Sequence, residues 1–130
     1  MANQKNLTPS NIRYLLAMKQ LDKNGSGVRS VDIATCLGLS RPSVHNMMKT
    51  LIEMGFIRKT AYGVAFLTEE GEQTARRYGK YYLSVSEFLR DGFPGLKPVC
   101  PAVFALLAEI PETDLEKLCD SRQMSGEVTV

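Results

Sequence analysis

Hydrophobic residues recur at helical spacing in two adjacent segments between residues 30 and 54. The first segment ends at Gly38, and glycine readily takes the left-handed conformation found at helix C-termini. The second segment begins at Ser40, a favoured N-cap, and has Pro42 in its first turn. The inward positions are Val31, Ile33, Ala34 and Leu37 in the first segment and Val44, Met47, Met48, Leu51 and Ile52 in the second. This pattern predicts a helix-turn-helix.

The opposite face of the second helix is polar and carries no acidic residue before Glu53. Its side chains are those of Ser40, Arg41, Ser43, His45, Asn46 and Lys49. Hydroxyls, an amide and cations suit the phosphates and base edges of the DNA major groove. We therefore interpret this helix as a DNA-recognition helix. The alternative is an ordinary helical hairpin with a polar outer face.

A β-hairpin is predicted directly after the second helix. Residues 56–59 and 64–67 are β-prone, and a tight turn at residues 61–63 joins them. A basic hairpin in this position is typical of the wing of a winged helix, which places Arg58, Lys59 and Tyr62 where they meet phosphate or the minor groove. Many hairpins carry two cations without binding DNA, so this assignment depends on the helix before it.

Further helices flank this unit on both sides. The first is predicted from its N-cap Thr8, with Pro9 at the first position, to about Leu21. Thr68 caps a long helix with an acidic first turn, and two short helices are predicted at about residues 99–109 and after Pro111. A heptad seam in the long helix is formed by Ala75, Tyr78, Tyr82, Val85 and Leu89, with Tyr81 and Phe88 beside it.

The predicted fold is mostly α, with an N-terminal winged helix-turn-helix that has a two-stranded wing, followed by a small helical dimerisation domain. We place the winged helix at residues 1–72, the helical domain at 73–120 and a loosely held tail at 121–130. About 40 residues cannot build a deep core alone, so we expect the apolar helices to form half of a symmetric dimer interface. The residues assigned to this interface are Tyr82, Val85, Leu89, Val103, Phe104 and Leu107.

Charge is divided unevenly along the chain. Up to Thr68 there are 9 Lys or Arg and 3 Asp or Glu, a net charge of +6, whereas from Glu69 onward there are 7 and 11, a net charge of −4. The basic half contains the helix-turn-helix. Cations supply sequence-independent affinity for DNA by releasing counterions, so this asymmetry favours a nucleic-acid partner.

Composition excludes several classes of protein. No apolar run among the 130 residues approaches the length of a membrane span, and the N-terminus has no signal-peptide core, so we expect a cytoplasmic protein with no membrane partner. Cys36, Cys100 and Cys119 match no zinc or disulfide framework. There is no catalytic Ser-His-Asp set, phosphate-binding loop or metal cluster, so we do not expect an enzyme.

Three segments together resemble the diphtheria toxin repressor family of metal-dependent regulators, in its short manganese-sensing branch. They are VDIATCLGLSRPSVHNMMKTL, GFIRK and FLTEEGEQTARRYGKYY, and the resemblance spans roughly residues 8 to 119. It implies a homodimer that docks its winged helices on palindromic double-stranded DNA, with the last helices at the dimer interface. Carried over residue by residue, the recognition positions are Ser40, Arg41, Pro42, Ser43, Asn46 and Lys49.

The sequence departs from this family at the metal site. The resemblance implies manganese or iron, bound by ligands from the first helix, a histidine of the long helix and a third cluster on the next helix. The matching positions here are Arg13, Leu16 and Tyr82, and residues 100–105 read CPAVFA, in which Cys100 is the one available donor. Divalent manganese or iron needs several oxygen or imidazole ligands at once, so we expect no metal cofactor.

Arg13 carries a further hypothesis. It would place a permanent cation where the family holds its metal ion, close to the Tyr82 phenol, while Leu16 and Phe104 replace ligands by packing. The protein would then keep a DNA-competent shape without metal. The alternative is that Arg13 lies on the surface or contacts phosphate.

The sequence thus predicts a dimeric, sequence-specific transcriptional regulator that acts as a repressor. Three other forms of control remain open: a metal at non-standard ligands, a small molecule near Tyr78, Tyr81 and Tyr82, or oxidation of Cys100 or Cys119. An alternative from another class is a winged-helix protein-interaction module with no DNA target. The uninterrupted cationic and amide face at residues 40–49 argues against that alternative.

Overall fold

The computed structural model describes residues 6–97, 101–122 and 128–130. Its elements in chain order are α1 (Pro9–Leu21), β1 (Val28–Arg29), α2 (Ser30–Leu37), α3 (Arg41–Glu53), β2 (Ile57–Lys59), β3 (Val64–Leu67), α4 (Glu69–Gly92), α5 (Pro101–Glu109) and α6 (Glu112–Arg122). The predicted fold class, a mostly α chain that begins with a winged helix-turn-helix, is confirmed.

Local capping signals explain where the helices begin and end. The Thr8 hydroxyl accepts from the Asn11 backbone N–H at 3.1 Å, while the Asn11 side chain accepts from the Thr8 N–H at 3.0 Å. Gly38 ends α2 in the left-handed conformation, with φ 67° and ψ 37°. The Ser40 side chain then caps α3, and these bounds agree with the sequence prediction.

The wing belongs to a three-stranded antiparallel sheet in the order β1-β3-β2. The predicted hairpin pairs Ile57 with Leu67, and β1, which the sequence did not predict, pairs Val28 with Ala65. Gly27 precedes β1 at φ +87°, and a Cβ there would overlap the Val64 side chain. The close approach of β1 to β3 therefore requires a glycine.

Two hydrophobic clusters form the interior, and α1 contributes to both. One cluster lies among α1, α2, α3 and the sheet, and receives Tyr14, Leu15 and Met18 from α1. The other lies among α1, α4, α5 and α6, and receives Ile12 and Leu16. The winged helix and the helical unit are therefore joined through a common helix rather than through a linker.

The assignment of the dimer interface needs correction. Tyr82, Val85, Val103, Phe104 and Leu107 are each at most 4% exposed in the single chain. Leu89 is partly buried against the same cluster. Because α5 and α6 fold back onto α4 and α1, these side chains already pack inside their own chain and do not form a surface for a partner.

Other positions also differ from the sequence prediction. Val31 and Ile52, expected to face inward, are 44% and 40% exposed, since each lies at the edge of its helix's buried face. The last helix is longer than predicted and reaches Arg122. Cys100 and the predicted start of α5 near residue 99 lie outside the described residues.

The last three residues pack against the body of the protein, whereas the sequence predicted a loose tail. The Val130 N–H donates to the Gln20 side chain at 2.9 Å, and the Tyr82 hydroxyl donates to the Thr129 carbonyl at 3.1 Å. A Cβ on Gly79 would lie 3.3 Å from Val128, so a glycine on α4 makes room for this segment.

None of the helices in the described part of the chain combines the length and apolar character needed to cross a bilayer.

Candidate nucleic-acid interface

The outer face of α3 presents every side chain that the sequence assigned to recognition. Ser40, Arg41, Pro42, Ser43, His45, Asn46 and Lys49 are all exposed. The helix is held from behind by Val44, Met48 and Leu51, which are at most 1% exposed. The polar face is thus fixed in orientation by the core while its functional groups remain in solvent.

The first turn of α3 is ordered by its cap. The Ser40 Oγ accepts from the Ser43 backbone N–H at 3.2 Å and donates to the Ser43 Oγ at 2.9 Å. The Thr50 hydroxyl donates to the backbone carbonyl of Asn46 at 3.2 Å, and this bond does not involve the Asn46 side-chain amide. Within the described part of the chain that amide makes no hydrogen bond, so its donor and acceptor are available to a base edge.

Cations on α3 and on the wing make no ion pair with a described residue, whereas three arginines of the second half, Arg76, Arg77 and Arg122, do. Among described residues, none of Arg41, Lys49, Arg58 and Lys59 lies in an ion pair. On the helical unit, by contrast, Glu112 accepts from the Arg77 Nε at 2.7 Å. The positive charge of α3 and of the wing therefore stays available to an external polyanion.

The wing tip is open to solvent. Tyr62 is 85% exposed, and Arg58 lies with its guanidinium carbon 4.6 Å from the centroid of the Phe66 ring. This cation–π contact orients Arg58 without neutralising it. The sequence interpretation missed Arg29, whose Nη1 lies 3.5 Å from the Tyr62 carbonyl oxygen and adds a cation beside the turn. Arg29 was missed because it lies in β1, and a strand of two residues is too short to be recognised from hydrophobic periodicity.

The wing is attached to α4 through its backbone. The Thr68 N–H donates to the Phe56 carbonyl at 2.9 Å, and the Thr68 hydroxyl donates to the Gly55 carbonyl at 2.7 Å. Gly71, in the first turn of α4, lies directly against the same Phe56 carbonyl. These contacts hold the start of the wing and the long helix together.

Further along, α4 carries a buried phenol network. The Tyr81 hydroxyl donates to the Glu112 carboxylate at 2.7 Å. Burial and the adjacent carboxylates of Glu116 and Glu112 raise the pKa of Tyr81. Burial lowers the pKa of Arg77, but its hydrogen bond to Glu112 and the charge of that carboxylate outweigh the effect, so the pKa is raised. Arg77 and Tyr81 of α4 thus bind Glu112 of α6 and hold the two helices together.

Comparisons with known proteins agree with this architecture. The model of the IclR helix-turn-helix domain matches residues 10–61. Over 61 residues the chain is 41% identical to the transcriptional regulator MntR of Salmonella typhimurium, a match that covers 47% of this chain and 39% of that protein. This chain thus spans about two fifths of that relative's length.

Solved structures share the fold over most of this chain. The metal-dependent transcriptional regulator MtsR has a TM-score of 0.74 at 18% identity, covering 92% of this chain and 56% of that one. The hypothetical protein SSo2273 from Sulfolobus solfataricus has a TM-score of 0.64 at 24% identity, covering 89% of each chain. The resemblance to the diphtheria toxin repressor family is confirmed.

The positions that match this family's metal ligands carry an arginine and closely packed apolar or aromatic groups. Leu16 is 2% exposed, the rings of Tyr82 and Phe104 lie 5.4 Å apart, and the Arg13 guanidinium carbon is 6.0 Å from the Phe104 centroid. Within residues 6–97, 101–122 and 128–130, no three His, Cys, Asp or Glu side chains converge. The absence of a metal cofactor stays a prediction.

The hydrogen bonds expected of Arg13 also differ from the hypothesis. Its guanidinium makes none to Tyr82 or to helix carbonyls in the described residues, and it is partly buried rather than on the surface. Burial raises the pKa of Tyr82, and the positive charge of Arg13 acts in the opposite direction. Arg13 therefore influences Tyr82 through space, without a direct bond.

Proposed function

We propose that the protein is a dimeric, sequence-specific DNA-binding transcriptional regulator that acts as a repressor and does so without a bound divalent metal. The carrying observation is the exposed face of α3, where hydroxyls, an amide and unpaired cations project from a helix anchored by the core. In this proposal α3 enters the major groove and the wing contacts the adjacent backbone.

Arg41 and Asn46 are assigned to base readout. Both side chains are exposed on the first half of α3, the part of a recognition helix that reaches base edges. Arginine pairs with guanine and asparagine with adenine, and each good bidentate contact contributes about 1–3 kcal/mol of discrimination. Lys49, Arg58 and Lys59 are assigned to phosphate, where they add affinity but no sequence preference.

The test starts with selection of bound sequences from random DNA, followed by binding titrations at several salt concentrations. Arg41→Ala and Asn46→Ala should reduce preference for the selected site by about 5- to 150-fold while non-specific binding persists. Lys49→Ala, Arg58→Ala and Lys59→Ala should each make the slope of log affinity against log salt shallower by up to about one unit. Lys80→Ala, on the exposed side of α4, is the matched control. Full selectivity in both α3 variants would refute the assignment.

Dimerisation is assigned to the outer face of α5 rather than to the buried seam. Pro101, Ala102 and Ala105 are exposed on a helix that has no charged residue before Glu109. A helix that is apolar on all sides is normally buried on all sides by other parts of the protein or by a partner. Phe88 and Phe93, at 54% and 62% exposed, add apolar surface near the end of α4. A second copy of the chain is the occupant we assign to these surfaces.

A two-fold dimer would place two recognition helices on a palindromic operator. Half-sites about 34–36 Å apart, one turn of DNA, or a multiple of this spacing, are expected. Sedimentation velocity of the protein, free and with the selected DNA, tests this point. A stable monomer in both conditions would refute the dimer without affecting the assignment of α3.

A cleft of about 550 Å³ supports a second candidate, control of DNA binding by a small molecule. Its lining includes Thr74, Arg77, Tyr78 and Glu112 at the junction of α1, α4 and α6. The volume is within the range of ligand pockets, and the hydroxyl of the buried Thr74 has no hydrogen bond among described residues. A thermal-shift screen of polar metabolites with wild type and Thr74→Val tests it: a compound that stabilises only wild type would support this control.

A further inference from the structure

A small cleft lies between the first turn of α1 and α5, and no described residue of α3 or of the wing lines it. Its volume is about 220 Å³, and its lining is formed by Pro9, Ser10, Arg13, Pro101 and Phe104. This is smaller than the pockets that hold drug-sized ligands, so the cleft suits a small ion or metabolite. Among the described residues that line it, none is acidic.

Arg13 in this cleft has no acceptor for its donors in the described part of the chain. The Nε atom is buried and makes no hydrogen bond, and no ion pair involves any of the guanidinium nitrogens. Arg122, by comparison, donates to Glu87 at 3.0 Å and to Asp91 at 3.1 Å. A partly buried arginine that finds no acceptor among the described residues is unusual, because buried charge is normally paired.

The surroundings of Arg13 add positive rather than negative potential. Pro9, the first residue of α1, lines the cleft, so the positive end of that helix's dipole lies near the guanidinium. The Ser10 side chain is exposed and supplies a further donor. Phe104 covers one side of the guanidinium, with 6.0 Å between the arginine carbon and the ring centroid.

We propose that this cleft binds a small oxyanion, a carboxylate or phosphate compound, through the Arg13 guanidinium and the Ser10 hydroxyl. Arginine presents paired donors that match the two oxygens of such groups. The anion would supply acceptors for the Arg13 guanidinium and would bridge α1 and α5, which pack in the same hydrophobic cluster. The binding site is separate from α3 and the wing, so it stands whether or not the protein binds DNA.

Isothermal titration with inorganic phosphate and, separately, citrate tests the proposal at constant ionic strength set with chloride. Wild type should bind at least one of the two saturably, with one site per chain. Arg13→Gln should weaken that binding by about 10- to 100-fold, as expected for loss of a hydrogen bond to a charged group. Arg13→Lys should retain part of the affinity, because the charge remains but the paired donors are lost. Preference for phosphate or for citrate identifies the source of the oxyanion.

Two further variants distinguish this cleft from the DNA face as the place where the anion binds. Arg41→Gln removes a cation of the α3 face and should leave anion binding unchanged, whereas loss of binding in that variant would assign the anion to the DNA face and overturn the proposal. Ser10→Asp places a tethered carboxylate at the cleft, and should raise the thermal midpoint without ligand while abolishing binding. Absence of saturable binding in wild type, or equal binding by a folded Arg13→Gln, would also overturn it. If Arg13→Gln does not fold, unchanged binding by Ser10→Asp is the overturning result.

Discussion

Replacing Gly71 with alanine tests the joint between the wing and the long helix. A Cβ at this position would overlap the Phe56 carbonyl oxygen and lie 3.2 Å from the Leu67 Cδ2. The obstacle is backbone rather than the end of a flexible side chain. The same carbonyl accepts the Thr68 N–H at 2.9 Å, so it cannot move away without weakening that bond.

The expected magnitude follows from opposing contributions. In an unobstructed helix, alanine is more favourable than glycine by about 0.8–1 kcal/mol. Forcing an extra carbon into a packed site costs about 1–3 kcal/mol, and weakening a hydrogen bond costs about 0.5–1.5 kcal/mol. We therefore expect Gly71→Ala to lower the free energy of unfolding by about 0.5–3.7 kcal/mol, because the obstruction outweighs the helix propensity.

Urea unfolding followed by circular dichroism at one fixed protein concentration measures this change, since any association would otherwise shift the midpoint. Gly79→Ala is the matched control on the same helix. Its Cβ would lie 3.3 Å from the Val128 side chain, which can shift, so we expect a change within about 1 kcal/mol. If Gly71→Ala were as stable as wild type or more stable, the close approach of α4 to the wing would be refuted.

Three other outcomes are expected. Phe104→Asp should lose helical circular dichroism rather than give a folded monomer, because the ring is 4% exposed inside its own chain; a folded variant would contradict this packing. Ala105→Glu should keep wild-type helicity but sediment as a monomer, since the residue is exposed on α5; an intact dimer would exclude that face. Operator affinity in chelator and in excess manganese should agree within error, because an ion without a binding site cannot shift an equilibrium; a large gain with manganese would refute metal-independent binding.

Local signals made the winged helix predictable. Thr8, Gly38, Ser40 and Thr68 each set a helix boundary through contacts within a few residues, and such contacts are readable from sequence. The polar face of α3 was predictable for a similar reason, since helical periodicity separates it from the residues that the core buries. Whether those side chains contact DNA remains a prediction.

Long-range packing was not predictable in the same way. The heptad seam of α4 indicated a buried face, but periodicity cannot tell whether the covering surface comes from the same chain or from a partner. Here α5 and α6 supply it, with Val103 and Leu107 each 1% exposed. The strand β1 was missed because two residues carry no period, and its position depends on Gly27 and on pairing with distant residues.

The double role of α1 limits how this protein can be re-engineered. A chimera that joins the winged helix to another dimeric scaffold after residue 72 would carry α1 with it, and would expose Ile12 and Leu16, now at most 2% exposed. Each newly exposed side chain would lose about 1.5–3 kcal/mol of hydrophobic stabilisation, and together they would form an apolar patch prone to aggregation. Transplanting the winged helix therefore requires polar replacements at these two positions, or a new scaffold that supplies a matching apolar groove for them.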